Sequence, residues 1–215
     1  MVYELSKQTS VLGTYMSEIR DIHIQRDAMR FRRNMERIAE IMAYEISKTL
    51  DYQEECITTP LGESICMIPT QQPVLATILR AGLSMHQGML NVFDHAESAF
   101  ISAYRKHYSP EKFEIYVEYM AAPSVDKQIV IISDPMLATG SSMELAYKAL
   151  LKQGTPKKVH VCAAIAAPEA IEHLKRTLPN TVDIWVGAID QELTSKSYIV
   201  PGLGDAGDLA YGEKL

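Results

Sequence analysis

Cysteine is scarce in this chain. Cys56, Cys66 and Cys162 are the only three in 215 residues, widely spaced, with no CxxC pair and no Cys/His cluster at zinc spacing. That argues against a disulfide framework or a zinc site and predicts small apolar thiols in a reducing compartment. Long apolar runs are missing too: none approaches the roughly 18 residues of a membrane span. The stretch Met1–Ser10 lacks the basic and apolar regions of a signal peptide. A soluble, cytoplasmic protein with no membrane partner is expected. Positive charge is in deficit, since 21 Lys and Arg against 27 Asp and Glu give a net charge of −6. Non-specific nucleic-acid binding needs a broad positive field, so no nucleic-acid partner is expected. A small anionic ligand needs only a local positive site. No GxxxxGK[ST] occurs, which excludes a Walker A loop. With no repeat, low-complexity stretch or linker, and roughly 100–200 residues per domain, residues 1–215 read as one domain.

What is present is a regular alternation of elements. Phe31, Met35, Ile38, Met42, Ile46 and Leu50 recur every three or four positions and predict one buried stripe on a long helix over 27–50. Arg30, Arg33 and Arg37 fall on another face, interleaved with Glu36 and Glu40, so a solvated or subunit-contacting face is expected there. A loop is expected over 58–72. Val74–Leu79, Ser98–Tyr104, Ile129–Ser133, Val159–Ala166 and Val182–Gly187 read as strands. The alternation from Phe113 to Met120 predicts an antiparallel strand or hairpin arm. Helices are expected from about 83 to 91, over Ser142–Gln153 with Gly154 as the stop, and from Pro168 through Leu178. Strands alternating with helices of this length predict an α/β fold with a mainly parallel sheet.

Open parallel sheets bind ligands at the carboxyl ends of their strands. Three segments stand at such ends or in the tail. The first runs Ser133-Asp134-Pro135-Met136-Leu137-Ala138-Thr139-Gly140-Ser141-Ser142 into a helix. Successive backbone N–H groups there can point at a phosphate, which the helix dipole favours, and Asp134 can accept from sugar hydroxyls. The same segment also reads as an ordinary strand, turn and Ser-capped helix. The second is Leu79-Arg80-Ala81-Gly82, where an arginine fork can meet a second anionic group, and Arg105 repeats that logic after the next strand. The third is Tyr198-Ile199-Val200-Pro201-Gly202-Leu203-Gly204-Asp205-Ala206-Gly207-Asp208. Gly202, Gly204 and Gly207 satisfy GxGxxG formally, but only eight residues follow Gly207, so neither the helix nor the partner strand of a dinucleotide fold is expected. The glycines predict a loop whose bare backbone approaches a flat ligand.

Taken together, DPMLATG followed by SS, ILRAGL and YIVPGLGDAGD resemble the phosphoribosyl-diphosphate (PRPP) loop, the pyrophosphate-side segment and the uracil loop of uracil phosphoribosyltransferases. Ile19-Arg20-Asp21 and Phe31-Arg32 echo the same family, so the resemblance covers nearly the whole chain. It implies a type I phosphoribosyltransferase fold, with a mainly parallel sheet flanked by helices, a β-arm and a small C-terminal hood near 190–215. The implied reaction is uracil + PRPP → UMP + diphosphate, a pyrimidine-salvage step, with Mg²⁺ accompanying PRPP and no metal held by protein side chains alone. Assembly as a homodimer or higher homo-oligomer is expected. Carried over by resemblance, Arg80 and Arg105 contact the diphosphate and Asp134 the ribose hydroxyls. Ala138, Thr139, Gly140, Ser141 and Ser142 cradle the 5′-phosphate, with Pro135, Met136 and Leu137 in the same PRPP segment. Ile199, Gly204 and Ala206 read uracil through their backbone, and Asp205 lies on the PRPP side and is counted with both the PRPP and the uracil residues. Asp134, Asp205 and Arg80 form the catalytic set, with Asp205 a candidate base by position and no histidine assigned.

One departure is Gly140-Ser141 where the family has Gly-Gly; if that position requires positive φ, serine weakens PRPP binding. A non-catalytic nucleotide sensor crippled by Ser141 is one alternative. An RNA-binding regulator of pyrimidine genes on the same fold is another, and it needs a basic surface that the net charge of −6 does not advertise.

Overall fold

The computed structural model describes residues 1–109 and 112–214, and the side chains of 103–117 lie outside the described residues. In chain order the elements are β1 (Val2–Glu4), α1 (Leu12–Arg20), α2 (Ala28–Ser47), β2 (Tyr52–Thr59), β3 (Gly62–Pro69), β4 (Val74–Leu79), α3 (Leu83–Val92), β5 (Ser98–Ser109) and β6 (Lys112–Ala121). They continue with β7 (Ile129–Ser133), β8 (Met136–Leu137), α4 (Ser141–Leu150), β9 (Lys158–Ala166), α5 (Pro168–Thr177), β10 (Asp183–Ile189), β11 (Glu192–Leu193), β12 (Ile199–Val200) and α6 (Ala206–Tyr211).

The main sheet runs β1-β10-β9-β7-β4-β5-β6, with β8 extending the ladder on β9. Every pairing is parallel except β5 with β6, which forms the expected hairpin arm. Strand alternation sorts side chains to two cores. Leu75, Ile129, Ile131, Cys162 and Ala164 pack toward α1, α2 and α3. Val74, Ala76, Ile78, Val130, Ile132 and Val161 pack toward α4 and α5. Both faces are therefore covered, which is why these strands read as continuous apolar runs.

The helices follow their sequence signals. Asp27 caps α2 by accepting from the Arg30 N–H at 3.1 Å, and Phe31, Met35, Ile38, Met42 and Ile46 are all at most 1% exposed. Burying each contributes about 1.5–3 kcal/mol. The basic face is paired within the chain: Arg33 with Glu36 at 2.6 Å, and Arg30 with Glu18 at 3.0 Å. Pro168 opens α5, where its missing N–H costs nothing.

Two expectations are corrected. The 58–72 segment is not a loop: Tyr52–Thr59 and Gly62–Pro69 pair in register as an antiparallel hairpin. All of its residues up to Met67 are exposed, so no buried face marked it in the sequence. A short helix does fit after Gly204, since α6 opens at Ala206 with Asp205 as its cap. The cysteines also divide. Cys162 is fully buried, and burial pushes its thiol pKa up, whereas Cys56 and Cys66 are exposed on the hairpin. No helix among the described residues is long and apolar enough to cross a membrane.

Candidate active site

A cavity of about 750 Å³ opens at the carboxyl ends of β4 and β7. It gathers Arg80, Asp134, Met136, Leu137, Ala138, Thr139, Gly140, Ser142, Gly204, Asp205 and Ala206. Three widely separated segments singled out from the sequence therefore share one space. Pro135, Ser141 and Ile199 do not line it, and Ile199 is instead 4% exposed within the core. The Arg105 side chain lies outside the described residues.

The loop from β7 into α4 is held by backbone bonds to the neighbouring strand. Asp134 N–H donates to the Cys162 carbonyl at 3.1 Å, Ile165 N–H to the Pro135 carbonyl at 3.1 Å, and Ala167 N–H to the Leu137 carbonyl at 2.9 Å. Gly140 then turns with φ +81°, a left-handed conformation that glycine tolerates without penalty. Ser141 is the first helical residue of α4, so the position after Gly140 needs no positive φ. The helix cap is Gly140, with no side-chain cap bond, which corrects the Ser-capped reading. Thr139 and Ser141 hydroxyls lie 3.2 Å apart beside the helix N-terminus. The half-buried first turn of α4 thus sets two hydroxyls beside a helix N-terminus, an arrangement that can favour an anion.

Asp134 meets the cavity on one side and is densely packed on the others. Desolvation pushes its pKa up to about 7, with Asp205 adding a smaller push and the Met136 N–H opposing both. Its carboxyl thus keeps its proton to a higher pH than an ordinary carboxylate.

Arg80 follows β4 directly, after a cis Leu79–Arg80 peptide. Its guanidinium donates to the Asp208 carboxylate at 3.0 Å and the Gly212 carbonyl at 2.8 Å, and its buried Nε has no partner among the described residues. Asp205 accepts the Asp208 N–H at 3.0 Å as the cap of α6. Arg32 donates to the Ala210 carbonyl at 2.7 Å, tying that helix to α2.

The sequence reading missed Ser102, Lys196, Ser197 and Lys214, which line the cavity together with Tyr198 from the tail motif. Lys196 and Ser197 sit on the turn between β11 and β12, where Ser197 has φ +61°. The polar run Thr194-Ser195-Lys196-Ser197 is itself a turn signal, and it lies directly before the tail motif. Among the described residues no cluster of three or more His, Cys, Asp or Glu can hold a metal ion.

The family model for uracil phosphoribosyltransferase matches residues 6–213. A uracil phosphoribosyltransferase of Porphyromonas gingivalis is 55% identical over 214 residues, covering 100% of this chain and 99% of that protein. One from Pyrococcus furiosus is 40% identical over 203 residues, covering 93% of this chain and 85% of the relative. A solved protein from Aquifex aeolicus superposes with a TM-score of 0.87 at 32% identity, covering 99% and 98% of the two chains. A hypoxanthine phosphoribosyltransferase from Staphylococcus aureus, 13% identical over 74% of each chain with a TM-score of 0.50, shares the type I fold. The chain belongs to the uracil phosphoribosyltransferase family.

Proposed function

We propose that this cavity transfers the phosphoribosyl group of PRPP to uracil, giving UMP and diphosphate. The observation that carries the reading is that the Ala138–Ser142 loop, Arg80 and the bare Gly204–Gly207 backbone face one cavity of about 750 Å³. In this reading the α4 N-terminus receives the 5′-phosphate, Asp134 accepts from the ribose hydroxyls and Arg80 meets the diphosphate, while Arg105, whose side chain lies outside the described residues, joins it by the resemblance alone. Mg²⁺ would arrive with PRPP, held by its phosphate oxygens and water, and Asp134 and Asp205 are the cavity carboxylates that could complete its shell.

The chemistry asks for little covalent help. The bond from ribose C1 to the diphosphate oxygen breaks with its electron pair leaving on diphosphate, uracil N1 bonds to C1, and the N1 proton is lost. Positive charge develops on the ribose and negative charge on the leaving group. Arg80, a permanent cation lining the cavity, is suited to the latter. Backbone N–H and C=O groups at Gly204 and Ala206 match the edge of uracil, and a cytosine amino group opposed to an N–H leaves two donors unpaired.

A cytoplasmic homodimer or higher homo-oligomer completes the reading. The β2–β3 hairpin leaves Leu61 100%, Ile65 71% and Met67 58% exposed, and a lone two-stranded ribbon is marginal in water.

The test is diphosphate release with PRPP and Mg²⁺ and each free base in turn. Uracil is expected to support it and purines are not. Turnover of hypoxanthine or guanine equal to or faster than uracil overturns the assignment.

A further inference from the structure

Gly202 begins the tail loop with both of its backbone polar groups already engaged. Its N–H donates to Asp190 Oδ2 at 2.8 Å, and its carbonyl accepts from the Arg20 guanidinium at 3.0 Å. Arg20 and Asp190 in turn form a two-point pair, at 2.9 and 2.6 Å, with side chains only 23% and 5% exposed. Arg20 ends α1, and Asp190 follows β10, its own N–H bonded to the Ala166 carbonyl at the tip of β9. A turn of the tail is thereby bolted to a helix end and to the rigid sheet.

The turn has little freedom of its own. Gly202 has φ +61°, and a Cβ there falls 2.1 Å from the Ile199 carbonyl oxygen. Leu203 is buried at 4%, and the chain then presents Gly204 through Gly207 to the cavity. Neither Arg20 nor Asp190 lines that cavity, so neither touches a ligand in it.

We infer that Arg20 and Asp190 are positioning residues for base recognition, a clamp that fixes which backbone groups beyond Gly202 face the base. This rests on the proposed reading of 204–207 as the uracil-facing backbone. Base recognition through backbone groups depends on the orientation of peptide planes, and a turn released at Gly202 lets those planes rotate. Among the described residues neither Arg20 nor Asp190 hydrogen-bonds to the Ala138–Ser142 loop, whereas the tail beyond Gly202 both faces the base and, through Asp208 and Gly212, braces Arg80, so the clamp acts on uracil directly and on PRPP only through that brace.

The experiment uses the full chain carrying Arg20→Lys or Asp190→Asn. A lysine keeps the charge but cannot span both Asp190 oxygens and the Gly202 carbonyl. The expected result is a KM for uracil raised tenfold or more, at least fivefold beyond any rise in the KM for PRPP, with kcat at saturating uracil within threefold. Equal rises in both KM values, or a fall in kcat alone, overturn the clamp. Amide exchange of the Gly202 N–H, followed without substrates, gives a second readout: slow in the parent and at least tenfold faster in Asp190→Asn. Unchanged exchange also overturns it. Should Asp190→Asn not fold, Arg20→Lys carries both measurements. If the parent gives no diphosphate with uracil, the substrate reading fails, while exchange at Gly202 still decides the clamp.

Discussion

The guanidinium of Arg80, at the end of β4, is held by the carboxylate of Asp208 on α6, 3.0 Å away, and by the Gly212 carbonyl at 2.8 Å. The C-terminal hood thus reaches the group read as the diphosphate contact. Arg80→Lys keeps a positive charge but loses the planar fork that serves both partners and a ligand. A hydrogen bond to a charged group is worth about 1.5–3 kcal/mol, which is roughly tenfold or more in rate. A fall of at least tenfold in kcat/KM for PRPP is expected in a diphosphate-release assay. Normal kinetics remove Arg80 from the site.

Asp134 links stability to function with opposite signs. Desolvation pushes its pKa to about 7 in the folded chain, above the usual unfolded value near 3.9. The folded state therefore binds more protons than the unfolded state between about pH 4 and pH 7, and stability from this group falls as pH rises through that window. Asp134→Asn removes the titration. The variant is expected to match the parent near pH 4 and to melt at higher temperature than the parent above pH 7, by thermal unfolding without ligand. A carboxylate that accepts from ribose hydroxyls works best ionised, so the parent's KM for PRPP is expected to fall from pH 6 to pH 8. The variant's KM is expected to be higher and flat. Turnover unchanged by Asp134→Asn rules out the ribose role.

Much of this arrangement was legible because burial writes itself into sequence period. β4 and β7 coincide with the apolar runs Val74–Leu79 and Ile129–Ser133, since both faces of each strand are covered. Pro168 marked the start of α5 for a purely local reason. The β2–β3 hairpin left no such trace, because residues Tyr52–Thr59 have no buried face. α6 was missed because its six residues are too few to show a period, and it is held by Arg32, Arg80 and the Asp205 cap. The Arg20–Asp190 pair joins residues 170 positions apart, which no local pattern encodes. Within the site, the motifs found the loops, but the orientation of Ile199 into the core depended on tertiary packing.

Gly140 and Ser141 divide their labour differently from what the Gly-Gly comparison suggested. The positive φ of +81° falls on Gly140, and an added Cβ there lies 3.2 Å from the Ala170 carbonyl and from His173. Gly140→Ala combines left-handed strain of about 1–2 kcal/mol with a crowded contact against α5. A rise of roughly fivefold or more in KM for PRPP, with a lower melting temperature, is expected. Ser141 is helical, so Ser141→Gly is expected to leave turnover within about twofold. Activity that arises only in Ser141→Gly, from an inert parent, favours the crippled-sensor alternative.

Asp205 has a structural duty that its place in the motif did not reveal. Its side chain accepts the Asp208 N–H at 3.0 Å and caps α6, while its other oxygen lies 3.6 Å from the Lys214 ammonium. Loss of an N-cap costs about 1 kcal/mol, and α6 carries the Asp208 that holds Arg80. Asparagine caps as well as aspartate but carries no charge, so the two substitutions separate the roles. Asp205→Ala is expected to lower both the melting temperature and the affinity for PRPP, because the helix that braces Arg80 frays. Asp205→Asn is expected to keep the parent melting temperature. If the carboxylate also takes the uracil N1 proton, Asp205→Asn loses kcat at least a hundredfold, within the 10²–10⁴ range of general base catalysis. With the cap as the main duty, the loss stays under tenfold, and the structure's geometry favours this smaller value because the carboxylate is already committed to the helix N–H. Steady-state kinetics beside thermal melts of the two variants decide between them.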